Sequence, residues 1–371
     1  MRGNNVLGII FSNMKDQVIR ELTELRTMGS VPFGGRYRLI DFPLSNMANS
    51  GIGRVGVITK SNYRSLMDHV GSGKSWDLSR KSSGLVFLPP YGNGNAVYQN
   101  RIGALSGIQE FLESSQEEYV FLSDCDVVVN LDIQEIVESH IAHSADITIV
   151  YHRGMLPQDI KGSTVLQVDG NGRVHEILLH CKSEEPQCFS MGMYVMRRDF
   201  LLRLITDAQS RNLKEFEADL LQEGVSDLRI FGFEHSGFTG VIHSMGAYYQ
   251  LNMKLLDPTV RQELFCDERP IYTKVRDNMP ARYGIHASVH NSLVADGCVI
   301  EGEVENCILF RGVHIGRDAR VHNSIIMQSS RIGPNSDLDY LIVDKNVEIC
   351  ADRRLMGFES YPVFIAKGSR V

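Results

Sequence analysis

The sequence has little of what marks nucleic-acid-binding or membrane proteins. Its formal net charge is −7 over 371 residues, whereas a phosphate backbone is bound by clustered Lys and Arg. No apolar run approaches the ~20 residues that a membrane-spanning helix needs, and the first run, Val6–Phe11, is too short for a signal peptide. We therefore expect a cytoplasmic protein that binds neither nucleic acid nor membranes and has small molecules or proteins as partners.

The cysteines also lack a functional pattern. They form no CxxC pair and show no zinc-ligand spacing, so we expect reduced thiols rather than a metal site. The seven positions are Cys125, Cys181, Cys188, Cys266, Cys298, Cys307 and Cys350. The length and the 43% hydrophobic content suffice for one large core and a second, smaller domain.

Short β-branched runs alternate with stretches of helical spacing in the first part of the sequence. The runs lie at Val6–Phe11, 55–59, 119–123 and 147–151, and a helical pattern covers 102–112. This alternation predicts an α/β domain with a mostly parallel sheet and helices on both faces. Ligands bind such sheets at the carboxyl ends of the strands, so we expect a site within residues 12–18, 60–63 and 124–126.

From about residue 285 branched aliphatic residues recur about six positions apart, the period of a hexapeptide β-helix. The residues with this spacing are Ile315, Val321, Ile332, Leu338, Val343 and Ile349. Gly and Asn at the turns favour a solenoid, in which each coil buries its aliphatic side chains only against neighbouring coils, over ordinary antiparallel strands. The predicted organisation is an α/β domain over 1–255, a linker over 256–284 and a β-helix over 285–371.

The segment VPFGGRYRLIDFPLSNMANSGI at 31–52 resembles the signature segment of bacterial ADP-glucose pyrophosphorylases, also called glucose-1-phosphate adenylyltransferases. Similar stretches are NAVYQN at 95–100, SMGMYVM at 190–196 and YYQLNMKLL at 248–256. The family makes ADP-glucose and pyrophosphate from ATP and glucose 1-phosphate for bacterial glycogen. The resemblance covers almost the whole chain. It implies a Rossmann-like nucleotidyltransferase domain with a mixed, mostly parallel sheet, followed by a left-handed parallel β-helix.

The nucleotide side of this reaction needs a glycine-rich loop close to the phosphates and cationic side chains beside it. The family's GGxGTRL-like loop aligns with the residues after the first strand, where Asn13 and Met14 replace the glycines and Val18 replaces the arginine. The lysine of the following Arg-Ala-Lys-Pro element aligns with Met28. Side chains at positions 13 and 14 obstruct the close backbone approach that only glycine permits.

The metal and sugar positions are altered as well. The family's SGDH-like aspartate aligns with Asp126, but its second metal aspartate aligns with Val241, and a lone carboxylate binds Mg²⁺ poorly. Asp126 equally suits capping of the turn after its strand. The lysine that grips glucose 1-phosphate aligns with His180, and Lys182 stands two positions away, about 7 Å on an extended chain. The residues that could still bind a ligand, several of which equally suit packing or turns, are Lys15, Arg26, Gly92, Gly94, Asn100, Lys182, Ser190 and Gly192.

The family's nucleotide-binding and sugar-binding residues are both altered here, whereas the segments of the shared fold are retained. In this the chain resembles the GlgD-type branch of the family. The resemblance implies a chain with no intact catalytic residues and no required cofactor, with Mg²⁺ only in a catalytic partner. It implies a regulatory subunit of a hetero-oligomer, normally a tetramer, in glycogen biosynthesis. Two alternatives remain open. One is a weakly active glucose-1-phosphate adenylyltransferase that uses Lys15, Arg26, Asp126 and Lys182, and the other is a sensor of a sugar-phosphate or nucleotide effector.

Overall fold

The computed structural model describes residues 5–80, 83–90, 98–156 and 162–371. The strands of its first part are β1 (Val6–Phe11), β2 (Pro32–Phe33), β3 (Tyr37–Arg38), β4 (Arg54–Ile58), β5 (Gly84–Leu88), β6 (Tyr119–Asp124), β7 (Val127–Val129), β8 (Ile147–Gly154), β9 (Thr164–Val168), β10 (Val174–Leu179), β11 (Gln187–Arg197), β12 (Ile230–Glu234) and β13 (Thr239–Val241). The α-helices are α1 (Arg20–Thr23), α2 (Asp41–Asn49), α3 (Arg64–Val70), α4 (Arg101–Ser106), α5 (Gln109–Glu113), α6 (Ile133–Ala142), α7 (Arg198–Ser210), α8 (Met245–Lys254) and α9 (Pro258–Leu264). Three 3₁₀ helices, Asp16–Ile19, Met28–Ser30 and Lys74–Trp76, and a π-helix, Phe216–Gln222, also lie in this part.

Nine of these strands form one mixed sheet. Its order is β10, β9, β11, β6, β1, β4 and β5, and β8 pairs with both β11 and β12. Strands β6, β1, β4 and β5 are parallel, whereas β11 runs antiparallel to β6, β8 and β9. Alternate residues of the central strand β1 enter separate apolar clusters on the two faces, which explains its continuous apolar run. The predicted α/β fold class is confirmed.

The β-helix consists of three parallel sheets of five strands each. Its strands are β14 (Arg282–Tyr283), β15 (Ser288–His290), β16 (Leu293–Val294), β17 (Val299–Ile300), β18 (Glu303–Glu305), β19 (Ile308–Leu309), β20 (His314–Ile315), β21 (Arg320–His322), β22 (Ile325–Ile326), β23 (Arg331–Ile332), β24 (Asp337–Asp339), β25 (Leu341–Val343), β26 (Glu348–Ile349), β27 (Arg354–Met356) and β28 (Val363–Ile365). All six aliphatic residues that define the predicted period are buried, and Ile315, Ile332 and Ile349 stack in successive coils. At one corner, Asn306 and Asn323 adopt positive φ and hydrogen-bond to each other. The left-handed β-helix inferred from the sequence is confirmed.

One side of the β-helix packs on the α/β domain. Ile308, Ile325 and Ile342 are buried in the same apolar cluster as core residues of that domain, whereas their neighbours Leu309 and Ile326 face the interior of the β-helix. The expectation that coils bury their aliphatic side chains only against other coils is therefore wrong, because this sheet is apolar on both faces. Helix α9 lies within the segment predicted as a linker. In the described residues, no helix is long and apolar enough to cross a membrane.

A buried ion pair links the two parts of the chain. The Nη1 and Nη2 atoms of Arg26 donate hydrogen bonds to Oδ1 and Oδ2 of Asp344 at 2.9 and 2.7 Å. The side chains are only 4% and 3% exposed. Bidentate pairing of this kind satisfies both charges away from water. Arg26 therefore acts here as a contact between domains.

Replacing this carboxylate tests the contact. The change Asp344→Asn leaves the Arg26 guanidinium buried without its counter-ion, so we expect the free energy of unfolding to fall by about 3–5 kcal/mol. Denaturant titration followed by circular dichroism measures the loss. The control Asp207→Asn removes the exposed pair with Arg211 and should cost less than about 1 kcal/mol. Equal losses in the two variants would show that the buried pair does not hold the domains together.

Candidate functional site

A pocket of about 1000 Å³ opens where strands β1 and β6 end. Its wall is completed by β11, by β13 and by the π-helix Phe216–Gln222. Two of the three segments expected at the carboxyl ends of strands contribute to it, through Lys15, Asp124 and Asp126, whereas residues 60–63 do not line it. This arrangement is the one that a parallel sheet imposes on a ligand site.

Arg101, which the sequence interpretation missed, is the central charge of the pocket. Its side chain is 5% exposed, and its Nη2 atom lies 2.8 Å from Asp124 Oδ2 and 3.4 Å from Glu217 Oε1. The guanidinium also lies over the aromatic rings of Phe11 and Tyr194, with its carbon 4.7 and 5.2 Å from their centroids. Its Nε and Nη1 atoms are buried and have no hydrogen-bond partner among the described residues. The Arg101 side chain is thus enclosed by carboxylates and aromatic rings.

Three residues that the sequence analysis retained as candidates surround this ion pair. Asn100 caps helix α4 by accepting a hydrogen bond from Gly103 N at 2.8 Å, which fixes the start of the helix at Arg101. Gly192 has a φ of +67°, and a Cβ atom there would lie 3.2 Å from Asp124 Oδ2. Its N–H donates to Ser190 Oγ at 3.2 Å. Asn100 does not line the pocket, whereas Ser190 and Gly192 do.

Asp126 and Lys15 form the second charged group in the pocket. Burial and the nearby Asp124 carboxylate raise the pKa of Asp126 to about 6. Burial acts to lower the pKa of Lys15, but the carboxylates of Asp126, Asp124 and Glu217 outweigh it, and its pKa is raised. Val241 lies close by, because β13 pairs with β7 and places Val241 opposite Val127.

The loop after β1 is filled by side chains. Asn13 accepts a hydrogen bond from the Tyr98 hydroxyl at 3.3 Å, and Met14 packs against an apolar cluster. Asp16 turns inward and accepts a hydrogen bond from the backbone N–H of Met28 at 2.7 Å. Burial raises the pKa of Asp16 to about 7. The loop is therefore anchored to its own chain at the position where phosphates would need free N–H groups.

The remaining candidate residues are distributed unevenly. Val18 and His180 line the pocket, and His180 adopts a positive φ of 55°. Lys182 is exposed and does not line the pocket, and Arg26 is held by Asp344 in the domain contact. Gly92 and Gly94 lie outside the described residues. Of the cations considered as substitutes, only Lys15 reaches the pocket.

A second crevice, between the α/β domain and the β-helix, has a strongly basic lining. Its cations are Arg36, Arg38, Arg276, Arg311 and Lys345. Burial, together with repulsion from Arg38 and Arg26, lowers the pKa of Lys345 to about 6. Arg311 is buried, and its Nε atom has no hydrogen-bond partner in the described part of the chain. This concentration of cations suits an anionic ligand.

Known proteins resemble the chain over both of its parts. Residues 12–245 match a family described as nucleotidyl transferase, and residues 278–360 match one described as GlmU-like, C-terminal hexapeptide. The chain is 36% identical to the glycogen biosynthesis protein GlgD of Bacillus subtilis strain 168, over 99% of this chain and 97% of that protein. It is 36% identical to GlgD of Geobacillus stearothermophilus, over 86% of this chain and 83% of that protein. It is 31% identical to the glucose-1-phosphate adenylyltransferase of Clostridium acetobutylicum, over 86% and 85% of the two chains.

Proposed function

The chain belongs to the bacterial ADP-glucose pyrophosphorylase family, and we propose that it serves glycogen biosynthesis as a regulatory, largely non-catalytic subunit. Its partner is a catalytic subunit that makes ADP-glucose and pyrophosphate from ATP and glucose 1-phosphate. The observation that carries the proposal is the internal pairing of the pocket charges, with Arg101 bound to Asp124 and Glu217. Groups that neutralise one another are not free to stabilise charge on a reacting phosphate.

The loop after β1 supports the same proposal. Phosphoryl transfer relies on positioning and charge neutralisation around the phosphates, which needs bare backbone N–H groups and cations at this place. Asn13 and Met14 carry side chains into the loop, and Asp16 anchors it to Met28. We propose that the pocket is a remnant of a substrate site whose fold is retained.

We propose a hetero-oligomer, a tetramer, as the working assembly. An exposed apolar group on the last coil of the β-helix supports a protein interface. Phe358 and Tyr361 are 75% and 77% exposed, and Met356 and Val363 lie beside them in the sequence with partly exposed side chains. Exposed aromatic residues at this density are typical of surfaces that bind another protein.

Mixing the chain with a catalytic homologue from the same genome tests the proposal. We expect multi-angle light scattering to detect a complex, and a coupled assay to show a higher rate of ADP-glucose synthesis or an altered response to effectors. The variant Phe358→Ser/Tyr361→Ser should weaken the complex, whereas Leu25→Ser, at another exposed apolar residue, should not. A chain that stays separate and leaves the homologue's rate unchanged would contradict the regulatory function.

The basic crevice supports an effector site within this function. Its five cations line a crevice of about 30 Å³, and we propose that it binds the phosphate group of an anionic effector such as a sugar phosphate or a nucleotide. Lys345 makes anion binding at this site depend on pH. Because its pKa is about 6, the Lys345 side chain is an uncharged amine at pH 8 in the free chain, and binding of a dianion favours its protonation.

Sulfate is a suitable probe of the crevice because its charge is constant above pH 4. We expect sulfate to bind more tightly at pH 6 than at pH 8, with the affinity falling by up to about tenfold per pH unit above the pKa of Lys345. Isothermal titration measures the affinity. The change Lys345→Met should remove the pH dependence, and Lys214→Met, at an exposed lysine, should preserve it. Tighter binding at pH 8 would contradict the assignment.

A further inference from the structure

Four carboxylates and two cations line the pocket at the ends of β1 and β6. The cations are Lys15 and Arg101, the carboxylate of Glu215 is exposed, and the other three carboxylates, which interact with Lys15, are those of Asp124, Asp126 and Glu217. We infer that Lys15 and Arg101 take the place that a divalent metal ion would occupy among these carboxylates, so that the pocket does not take up Mg²⁺. The inference deepens the proposed function and relies on it only to identify the pocket as a former substrate site.

The position of Arg101 is the first support for this inference. A single nitrogen, Nη2, bridges the Asp124 and Glu217 carboxylates at 2.8 and 3.4 Å, as a bound metal ion bridges its ligands. The guanidinium also lies over the Phe216 ring, 5.6 Å from its centroid, in addition to the Phe11 and Tyr194 rings. A side chain enclosed in this way is not displaced by a rotamer change.

Lys15 brings a second cation, an ammonium, to the pocket that Asp126 also lines. Neither an ammonium nor a guanidinium has a lone pair to give to a metal ion. Mg²⁺ needs near-octahedral oxygen ligands at 2.0–2.1 Å. The Arg101 guanidinium occupies the space between two of these carboxylates, and the Lys15 ammonium adds a second positive charge that repels a metal ion. The donor set therefore does not fit Mg²⁺.

The backbone around the ion pair is shaped to hold it. Gly192 lies in the left-handed region, and a Cβ atom on it would lie 3.2 Å from Asp124 Oδ2 and 3.9 Å from Arg101 Nη2. Asn100 caps α4 and so fixes the residue from which the guanidinium extends. A structural ion pair explains both residues without a ligand.

A Mn²⁺ titration of the full chain tests the inference. Binding is measured as the loss of the electron paramagnetic resonance signal of free Mn²⁺. A second group that could hold a metal, Glu303, Glu305 and His322, lies on the β-helix and is first removed with Glu303→Gln/Glu305→Gln. In that background we expect no saturable binding at millimolar Mn²⁺. Adding Lys15→Met/Arg101→Met should create one site and raise the melting temperature by about 5 °C at saturating metal.

The control variant Arg203→Met/Lys214→Met removes two exposed cations and should gain no metal site. If the double change at the pocket prevents folding, Lys15→Met is tested alone. This variant should fold, because Lys15 is only partly buried, and it should gain a weaker metal site. The inference would be overturned if the Glu303→Gln/Glu305→Gln chain bound Mn²⁺ saturably and Asp126→Asn abolished that binding. Folded pocket variants that gain no binding would overturn it as well. ADP-glucose synthesis by the unaltered chain would instead overturn the proposed function, whatever the metal result.

Discussion

A chain that ends at residue 281 is expected to be unfolded or insoluble rather than to form an independent α/β domain. Ile308, Ile325 and Ile342 would be removed from a cluster that they share with the core of that domain. Each such side chain contributes about 1.5–3 kcal/mol when fully buried, and a whole domain is stable by only about 5–15 kcal/mol. Arg26 would also lose Asp344 and remain without its buried counter-ion.

Expression of the truncated and full-length chains, followed by light scattering and thermal unfolding, measures this effect. We expect aggregates or no cooperative transition from the truncated chain, and no complex with the catalytic homologue. The control Ile285→Ser changes a residue that is almost fully exposed and should leave folding intact. A monomeric fragment with a cooperative transition close to that of the full chain would show that the contact between the domains is incidental.

The sequence contained a sign of this contact that a search for period alone overlooks. A six-residue period identifies the residues that face the interior of the β-helix. Strands β19, β22 and β25 carry adjacent buried apolar residues, as in Ile308–Leu309 and Ile325–Ile326, whereas most strands of the other two sheets alternate buried with less buried residues. Adjacent apolar residues on one sheet indicate that both faces are covered. What covers the outer face is a long-range property that no local pattern specifies.

The position of the site could also be predicted in outline from the sequence. The ends of β1 and β6 were identified from the alternation of elements, and the altered family positions at 13, 14, 18, 180 and 241 were found by alignment. Alignment shows which residues are missing but not which have replaced them. Arg101 continues the apolar stripe of Leu105, Ile108 and Leu112 at helical spacing, and a charge on such a stripe indicates a buried ion pair. Its partner Glu217 lies more than a hundred positions away, and only the tertiary structure joins them.

We expect no measurable ADP-glucose synthesis from the isolated chain, and we expect the change Val241→Asp to create none. Pairing of β13 with β7 places residue 241 opposite Val127, next to Asp126, so the new carboxylate would enter the pocket at the aligned position. One carboxylate does not rebuild the site, because Asn13 and Met14 still fill the phosphate loop. Arg101 and Lys15 still neutralise the acidic groups.

The expected rate is at least about 10³-fold below that of the catalytic homologue, since the loss of even one electrostatic donor costs about 10²–10³ in rate and several are altered here. Such losses act as a unit, so restoring one member recovers little. Detection of radiolabelled ADP-glucose from ATP, glucose 1-phosphate and Mg²⁺ measures the rate. The homologue with its aligned aspartate changed to valine is the matched control and should lose most of its activity.

Turnover by the unaltered chain within about tenfold of the homologue would favour the weak-enzyme alternative. In that case Lys15→Met should remove the activity, because Lys15 is the one cation of that alternative that lines the pocket in the described residues.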